Sequence, residues 1–531
     1  MPARPSASPL PRFVIATAIV VALAHVAVNL FGPYGFHRDE FLYLAMGERL
    51  QLWRMDFPPF IAIVANVQRA LFGDALWSVR LFPAITGSLL LLAAVHAANR
   101  FRAASVPTAG EHEQHTAPLL PHLVLVAMLG SGVFLRPPNM FQPVIFDQLW
   151  WTLALLALVE RQHRNDPRWW MAVGAALGLG LLTKFSIAFI GVGIVVGVVL
   201  TPLRTDLLTR WPWVALLLAL MIGSPSLVGQ VALDWPITWQ MRDLAAGQLG
   251  RRSLTAFLGD QFGLVGPLGM LFAAGGWWWL MRAKQAQRYR VIAIATAVSW
   301  LLLIAQRGKG YYGAPVYPVL FAAAAAAVSG WLAQAPHSPV RRRVVLGFMG
   351  ANVLLGVIGL PITLPIASPA FTAAYAQRLG ATDATRTNYG TQLALPQDYA
   401  DMLGWEEQVR AVAEEWRALS EVERGKAVLA ADNYGRAGAL DFFGPRYGLP
   451  RVVSGAGSYW YFGPGDRSGE LLIVLGGEEE LKQIWQACRV LRTVGTSWAV
   501  EQERRVEIWR CERPVAPLQE VWAKFDPATT S

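Results

Sequence analysis

Charge is what this chain has little of. Of its 531 residues only 15% are Asp, Glu, Lys or Arg, against roughly 25% in an ordinary soluble domain, and a deficit of that size points to a membrane. The formal charge of +10 does not point to nucleic acid, because the polar C-terminal part concentrates no basic face interleaved with aromatics. No second His or Cys stands at ligand spacing from His37, which argues against zinc held by protein side chains. The stretch "LLIVLGGEEE" places glycines between a strand-like and a helix-like run, but it lacks the spacing of a dinucleotide or phosphate-binding loop and a nucleotide site is rejected. There is no internal repeat, and no low-complexity segment beyond the alanine run at 322–327.

Long apolar runs are what the chain has instead. A helix crossing a hydrocarbon layer of roughly 30 Å needs about 17 to 25 apolar residues, and such segments recur at 13–31, 77–98, 118–135, 143–160, 168–183, 185–201, 211–232, 262–281, 290–306, 314–333 and 344–366. These eleven predict a polytopic helical membrane region over residues 1–366, followed by a soluble α/β domain over 367–531. Arg/Lys clusters occupy alternate short connections, at Arg100 and Arg102, Arg161 to Arg168, Arg204 and Arg210, Arg282 to Arg290, and Arg341 to Arg343. Basic connections stay in the cytoplasm, so the N-terminus is predicted inside, with loop 32–76 and the C-terminal domain outside. Residues 103–117 read as a solvated cytoplasmic linker. Residues 12–24 also fit a signal peptide, although the apolar run continues to Phe31 and favours an uncleaved first helix. Merging the segments on either side of Lys184 would spoil the alternation of basic loops.

The outward connections carry the chemistry. "YGFHRDEFLYLAMGERL" places Arg38, Asp39 and Glu40 just past the first span, and "RMDFPPF" follows with a proline pair that ends a helix and fixes the backbone. Next come "RPPNMFQPVIFDQLWW" with Arg136 and Asp147, "LLTKFS" with Lys184, and "QRGKGYYGAPVYPVL" with Arg307, Lys309, Tyr311 and Tyr312. Each group has an ordinary reading. Acids favour a helix N-terminus, tyrosines form interfacial belts, and Lys184 can snorkel. Yet charge at membrane depth costs a few kcal/mol per group even on lenient scales, so such residues usually face a cavity or a partner, and here both signs gather at one face. Asp39 and Glu40 point about 100° apart on a helix of 3.6 residues per turn, so one can face a substrate while the other holds a cation or a loop.

In order and placement these motifs, with "GLGLLTKFSIAF", "SPSLVGQVALDWPITWQ" and the tail "ADNYGRAGALDFFGPRYGLPRVVSGAGSYWYFGP", resemble the GT-C glycosyltransferases of the protein O-mannosyltransferase type, family 39. That family includes the aminoarabinose transferases of lipid A and rhizobial galacturonic acid transferases. The resemblance covers nearly the whole chain. It implies a GT-C fold in a bacterial inner membrane and transfer of a sugar from a polyprenyl-phosphate donor to an acceptor hydroxyl of a glycolipid, polysaccharide or protein on the outer, periplasmic side. It places the catalytic carboxylate at Asp39, with Glu40 beside it. Around that acid we expect Lys309, Lys184, Arg307 and Tyr312 to bind the donor phosphate, and Arg38, Asp147, Arg136 and Tyr311 to bind substrate. No cofactor is required by these residues, and a divalent cation at Glu40 stays open. The competing expectation is a transporter or flippase of a lipid-linked or anionic substrate, against which stand the clustering of charge at one face and the lack of paired halves.

In the tail, "KAVLAA", "RVVSG", "LLIVLGG" and "VEIWRCERP" read as strands, and "LGWEEQVRAVAEEWRALS" and "EEELKQIWQAC" as helices. The two cysteines, Cys488 and Cys511, either form one disulfide between adjacent strands in an oxidising compartment or remain two buried thiols. "GSYWYFGPG" reads either as a sugar-stacking surface or as a loop with buried aromatics.

Overall fold

The structure, a computed structural model, describes residues 10–105, 119–250, 253–477, 482 and 484–530. Most of the linker expected at 103–117 therefore lies outside the described residues. Every apolar segment expected from the sequence contains a helix. Among the described residues eight helices are long and apolar enough to cross a membrane, or up to ten if two sharply bent helix pairs each count as one span. The chain is a multi-pass membrane protein. Trp169–Thr183 and Ile187–Val199 are separate helices, and Lys184 stands between them in extended conformation. At 15 residues the first is about 22 Å long, too short to cross squarely by itself. The segment expected at 262–281 begins earlier, in Leu254–Arg282, where Gly266 (φ 72°) breaks the helix before Pro267.

Small residues let these helices approach. An added side-chain carbon at Gly174 would lie 2.3 Å from the Ala215 carbonyl, and one at Gly193 would lie 2.3 Å from the Ala295 carbonyl, so "GAALGLGLL" and "GVGIVVGVVL" supply close-packing faces. The alanine run is buried in the same way, with Gly276 against Leu320 and Ala324.

Helix α1 (Arg12–Phe31) leads into two helices of the loop that follows it, α2 (Arg38–Glu48) and α3 (Phe60–Phe72). The tail folds around a five-stranded sheet of order β2-β1-β3-β5-β4, with β1 Ala427–Ala431, β2 Val452–Val453, β3 Leu471–Leu475, β4 Trp485–Val494 and β5 Val506–Pro514. β1 pairs parallel with β2 and β3, and β5 pairs antiparallel with β3 and β4. β1 and β3 are buried at every position, as strands covered on both faces must be. The helix expected at "EEELKQIWQAC" is corrected from Trp485 onward, since the tryptophan begins β4. Consecutive residues of that strand, Ala487 to Val490 and Arg492 to Val494, pair antiparallel with β5, and this long-range pairing overrides local helix propensity. Cys488 faces Cys511 across the β4–β5 ladder and the two form a disulfide.

Candidate active site

Helix α2 starts as its sequence dictates. His37 caps it, accepting from the Asp39 amide at 3.1 Å, while Glu40 reaches back to the His37 amide at 2.7 Å. The two bonds close a capping box, and both acids sit in the first turn, where the helix dipole favours negative charge.

Beyond that turn the two acids part company. Glu40 is wholly buried and Arg80 is 1% exposed. Arg80 Nε and Nη2 donate to the two Glu40 oxygens at 2.8 Å each, and the Phe141 amide donates to Oε1 at 2.5 Å. Arg80 also reaches Asn29 Oδ1 at 3.0 Å and the Gly35 carbonyl at 2.9 Å. Glu40, expected beside Asp39 as a catalytic acid, is engaged in this network at both oxygens. Its oxygens are saturated by a guanidinium and two amides, which also leaves no place for a divalent cation on them. Among the described residues no three His, Cys, Asp or Glu side chains converge as metal ligands.

Asp39 keeps a side chain that is 28% exposed. Tyr434 donates its hydroxyl to Oδ1 at 2.9 Å and Gln142 donates its amide to Oδ2 at 3.1 Å. His37 Nδ1 stands 3.9 Å from Oδ2, and its other ring nitrogen is 3.8 Å from the buried Asp401. Burial raises the Asp401 carboxyl, offset in part by Arg38 and His37. Burial, with the Asp39 charge beside it, also pushes the Tyr434 phenol above its ordinary value, so this hydroxyl stays a donor. Tyr434 comes within reach because the helix Tyr434–Phe443 lies almost on α2. An added carbon at Gly435 would lie 2.4 Å from the Arg38 side chain, and one at Gly438 would lie 2.5 Å from Phe41. The paired glycines three apart thus permit the contact that holds the acid. Arg38 is fixed over the Tyr434 ring at 5.3 Å and near Asp401 at 3.8 Å.

The remaining predicted residues divide. Lys184 Nζ lies 4.1 Å from the Tyr312 ring centre and 5.2 Å from that of Tyr311. Tyr311 is within electrostatic reach of Asp39 and Tyr43, and Tyr312 of Lys184, Lys309 and Asp147. Asp147 accepts from Ser186 at 2.8 Å and Trp151 at 3.1 Å. The turn Gly310–Val316 that presents the tyrosines is pinned by Gln261 to the Gly310 carbonyl at 3.1 Å and by Trp300 to the Gly313 carbonyl at 3.1 Å. One chain of interactions therefore joins Asp39 through Tyr311 and Tyr312 to Lys184, Lys309 and Asp147.

Arg136 and Arg307 depart from the expected cluster. Arg136 bonds to Asp398 at 3.2 Å and the Ile362 carbonyl at 2.8 Å, tying the last membrane helix to the tail. Arg307, exposed at a positive φ of 55°, donates to the Gly250 carbonyl at 2.9 Å. Sequence reasoning missed Arg80, Gln142, Tyr434 and Tyr43. Gln142 and Tyr434 lie inside motifs quoted above, but nothing local marks them as partners of Asp39. Tyr43 is buried one turn along α2 from Asp39, and its phenol is raised by burial, with Asp39 and Tyr434 adding.

The family model described as dolichyl-phosphate-mannose-protein mannosyltransferase matches residues 56–228. The lipid A galacturonosyltransferase RgtD of Rhizobium johnstonii is 25% identical over 303 residues, which are 56% of this chain and 60% of that protein. The matched stretch thus spans less than two thirds of the curated relative's length. The crystal structure of ArnT from Cupriavidus metallidurans bound to undecaprenyl phosphate superposes with a TM-score of 0.58 at 16% identity, covering 94% of this chain and 97% of that one. Its apo structure gives 0.56 at 17% identity, over 93% and 97%. At these identities the structural likeness establishes the fold.

Proposed function

We propose, for a chain of the GT-C glycosyltransferase fold and family 39 type, the transfer of a sugar from a polyprenyl-phosphate carrier to an acceptor hydroxyl at the outer face of the membrane. The observation that carries the reading is the setting of Asp39. It is a carboxylate held in place on both oxygens, open on one side, and linked through two tyrosines to a pair of lysines. On this reading Asp39 accepts the proton of the acceptor hydroxyl as that oxygen attacks the anomeric carbon. Tyr434 and Gln142 fix its rotamer. The bond from the anomeric carbon to the carrier phosphate breaks on the opposite side, so the configuration inverts.

The leaving phosphate monoester departs charged and needs cations more than an acid. Lys184 and Lys309 supply them, in a site where fixed charges outperform water. Tyr312, under the Lys184 ammonium, offers a hydroxyl to the same phosphate, with Arg307 at the rim. Tyr311 forms a flat wall for the sugar. Arg38 and Asp147 act as positioning groups, the first behind Asp39 and the second beside Lys184. Glu40 positions the catalytic turn through Arg80. The alternation of basic loops supports a cytoplasmic N-terminus and a periplasmic tail in a bacterial inner membrane. The acceptor is a glycolipid, cell-envelope glycan or protein. A transporter reading draws on none of the relatives reported above, whose names are those of glycosyltransferases or of ArnT.

The test is sugar transfer in membranes supplied with radiolabelled polyprenyl-phosphate sugars, comparing wild type with Asp39→Asn at matched expression. Loss of transfer with retained donor binding is the expected result. Undiminished transfer by the variant would move the base elsewhere, and movement of carrier across the bilayer without any transfer would overturn the reading.

A further inference from the structure

The far end of α2 carries a second polar feature that the transfer chemistry does not use. Where α2 ends, Arg49, Gln51 and the turn Gly457–Phe462 enclose a cavity of about 150 Å3 that also takes in Arg54 and Asp56. An open groove of about 420 Å3, lined by Arg49, Gln51, Arg451 and Tyr461 and by Glu48, whose carboxylate is ion-paired to Arg69 at 2.6 Å, adjoins it through shared walls. The groove alone is within the roughly 300–1,000 Å3 typical of ligand clefts.

Its walls are fixed and its cations are not spent. Arg49 is neutralised by Asp441 at 2.6 Å and lies over the Phe462 ring at 4.7 Å. Tyr459 is buried and donates to the same Asp441 at 3.0 Å. That frame leaves Tyr461 and Phe462 facing the groove, so "GSYWYFGPG" is in part buried loop and in part open aromatic wall. Asp56 is 4% exposed and takes hydrogen bonds from Ser458 at 2.7 Å and Gln240 at 3.3 Å, with no cation paired to it. Arg54 and Arg451, in contrast, are exposed, and their guanidiniums make no hydrogen bond or ion pair with any described residue. Two unpaired guanidiniums suit a carboxylate or phosphate. An aromatic wall beside a carboxylate and an amide suits a ring bearing hydroxyls.

We infer that this groove and the cavity it adjoins form a binding subsite for a negatively charged sugar unit of the acceptor, held by Arg451 in the groove and Arg54 in the cavity against their shared Tyr461 wall. Its assignment to the acceptor rests on the transfer reading. Asp39 and Arg49 are separated by ten residues along α2, or about 15 Å at 1.5 Å per residue, so the subsite engages a sugar removed from the reacting hydroxyl rather than the one that carries it.

Ligand-observed saturation-transfer NMR on the full chain in detergent tests this with three sugars of one skeleton: glucuronic acid, glucose 6-phosphate and glucose. At least one charged sugar is expected to bind about tenfold tighter than glucose, and Arg54→Gln with Arg451→Gln is expected to erase that preference while undecaprenyl phosphate binding and the melting curve stay unchanged. Both arginines are exposed and unpaired, so the variant should fold. Asp39→Asn should keep the preference. Equal binding of all three sugars, or a preference that survives the double substitution, overturns the inference, as does a parallel loss of undecaprenyl phosphate binding, which would give the groove to the carrier. Transfer intact with no preference would count against the subsite alone. A preference without any transfer by the wild type would leave a charged-sugar site and remove its assignment to an acceptor.

Discussion

At the first turn of α2 two adjacent carboxylates meet different surroundings. Asp39 is held by a phenol and an amide and reaches the solvent side, whereas Glu40 is wrapped by Arg80 and two backbone amides with no exposed surface. The contrast shows how a membrane-edge site can be both firm and reactive. The ion pair at Glu40 locks the turn to the start of the Leu81–Ser105 helix and to the Phe141 backbone, and the locked turn presents Asp39 with a phenol and an amide, and no guanidinium, bonded to its oxygens. A carboxylate already bonded to a guanidinium is a poor acceptor for a substrate proton, since protonation would leave the buried cation uncompensated.

The comparison can be broken most sharply at Asp39 itself. Asp39→Asn is expected to lower transfer by about 10² to 10⁴-fold, the usual contribution of a general base, with the melting temperature unchanged. Next in size is the fold-keeping side. Glu40→Gln or Arg80→Ala leaves a buried partner uncompensated and is expected to lower stability by about 3–5 kcal/mol, measured by thermal unfolding in detergent. A Glu40→Gln variant that melts like wild type yet transfers nothing would put Glu40 on the catalytic side.

Asp56, in the same loop, extends the contrast, being buried like Glu40 but without a cation. Burial pushes its carboxyl up to about 6 from 3.8, partly offset by hydrogen bonds from Ser458 and the local backbone. The folded chain then holds this proton more tightly than the unfolded one, so the contribution is most favourable below about pH 4 and is lost as the pH rises through 6. At roughly 1.4 kcal/mol per pH unit the loss amounts to about 3 kcal/mol. Unfolding of Asp56→Asn measured between pH 4 and 8 should lack this decline, and an unchanged decline would show that another group causes it. The smallest expected effect is at Tyr434. Tyr434→Phe removes one hydrogen bond to Asp39 and should lower kcat about twentyfold, within the 1.5–3 kcal/mol scale of bonds to charged groups, with donor binding retained. A loss as large as that of Asp39→Asn would make the phenol a proton carrier in its own right.

Much of this was legible in the sequence for a physical reason. An apolar run is a local property, and so is a capping signal such as His37 to Glu40. The break at Lys184 could be inferred because basic loops alternate. The site was legible in part. Asp39, Lys184, Tyr311 and Tyr312 stand in motifs, and Glu40 was grouped with Asp39 because the two are adjacent. Nothing near it in sequence reveals Arg80. Arg136 and Arg307 were grouped with the site by the face they occupy, and their hydrogen bonds take them to Asp398, Ile362 and Gly250 instead. The start of β4 was misread because "EEELKQIWQAC" has helical composition, while the partner that makes it a strand is β5.

By itself, then, the sequence determined where the apolar helices run, that a polar α/β tail follows them, and that the loop after the first helix opens with acids at a helix start. Hydropathy and helix capping act over a few residues and need no tertiary partner. Only the tertiary structure decided which of the two acids is enclosed and which stays partly open. That choice depends on Tyr434, 395 residues from Asp39, and on Arg80, 40 residues from Glu40. Hydrogen bonds across such separations form only when packing brings the elements together, and here the approach is permitted by the absence of side chains at Gly435 and Gly438.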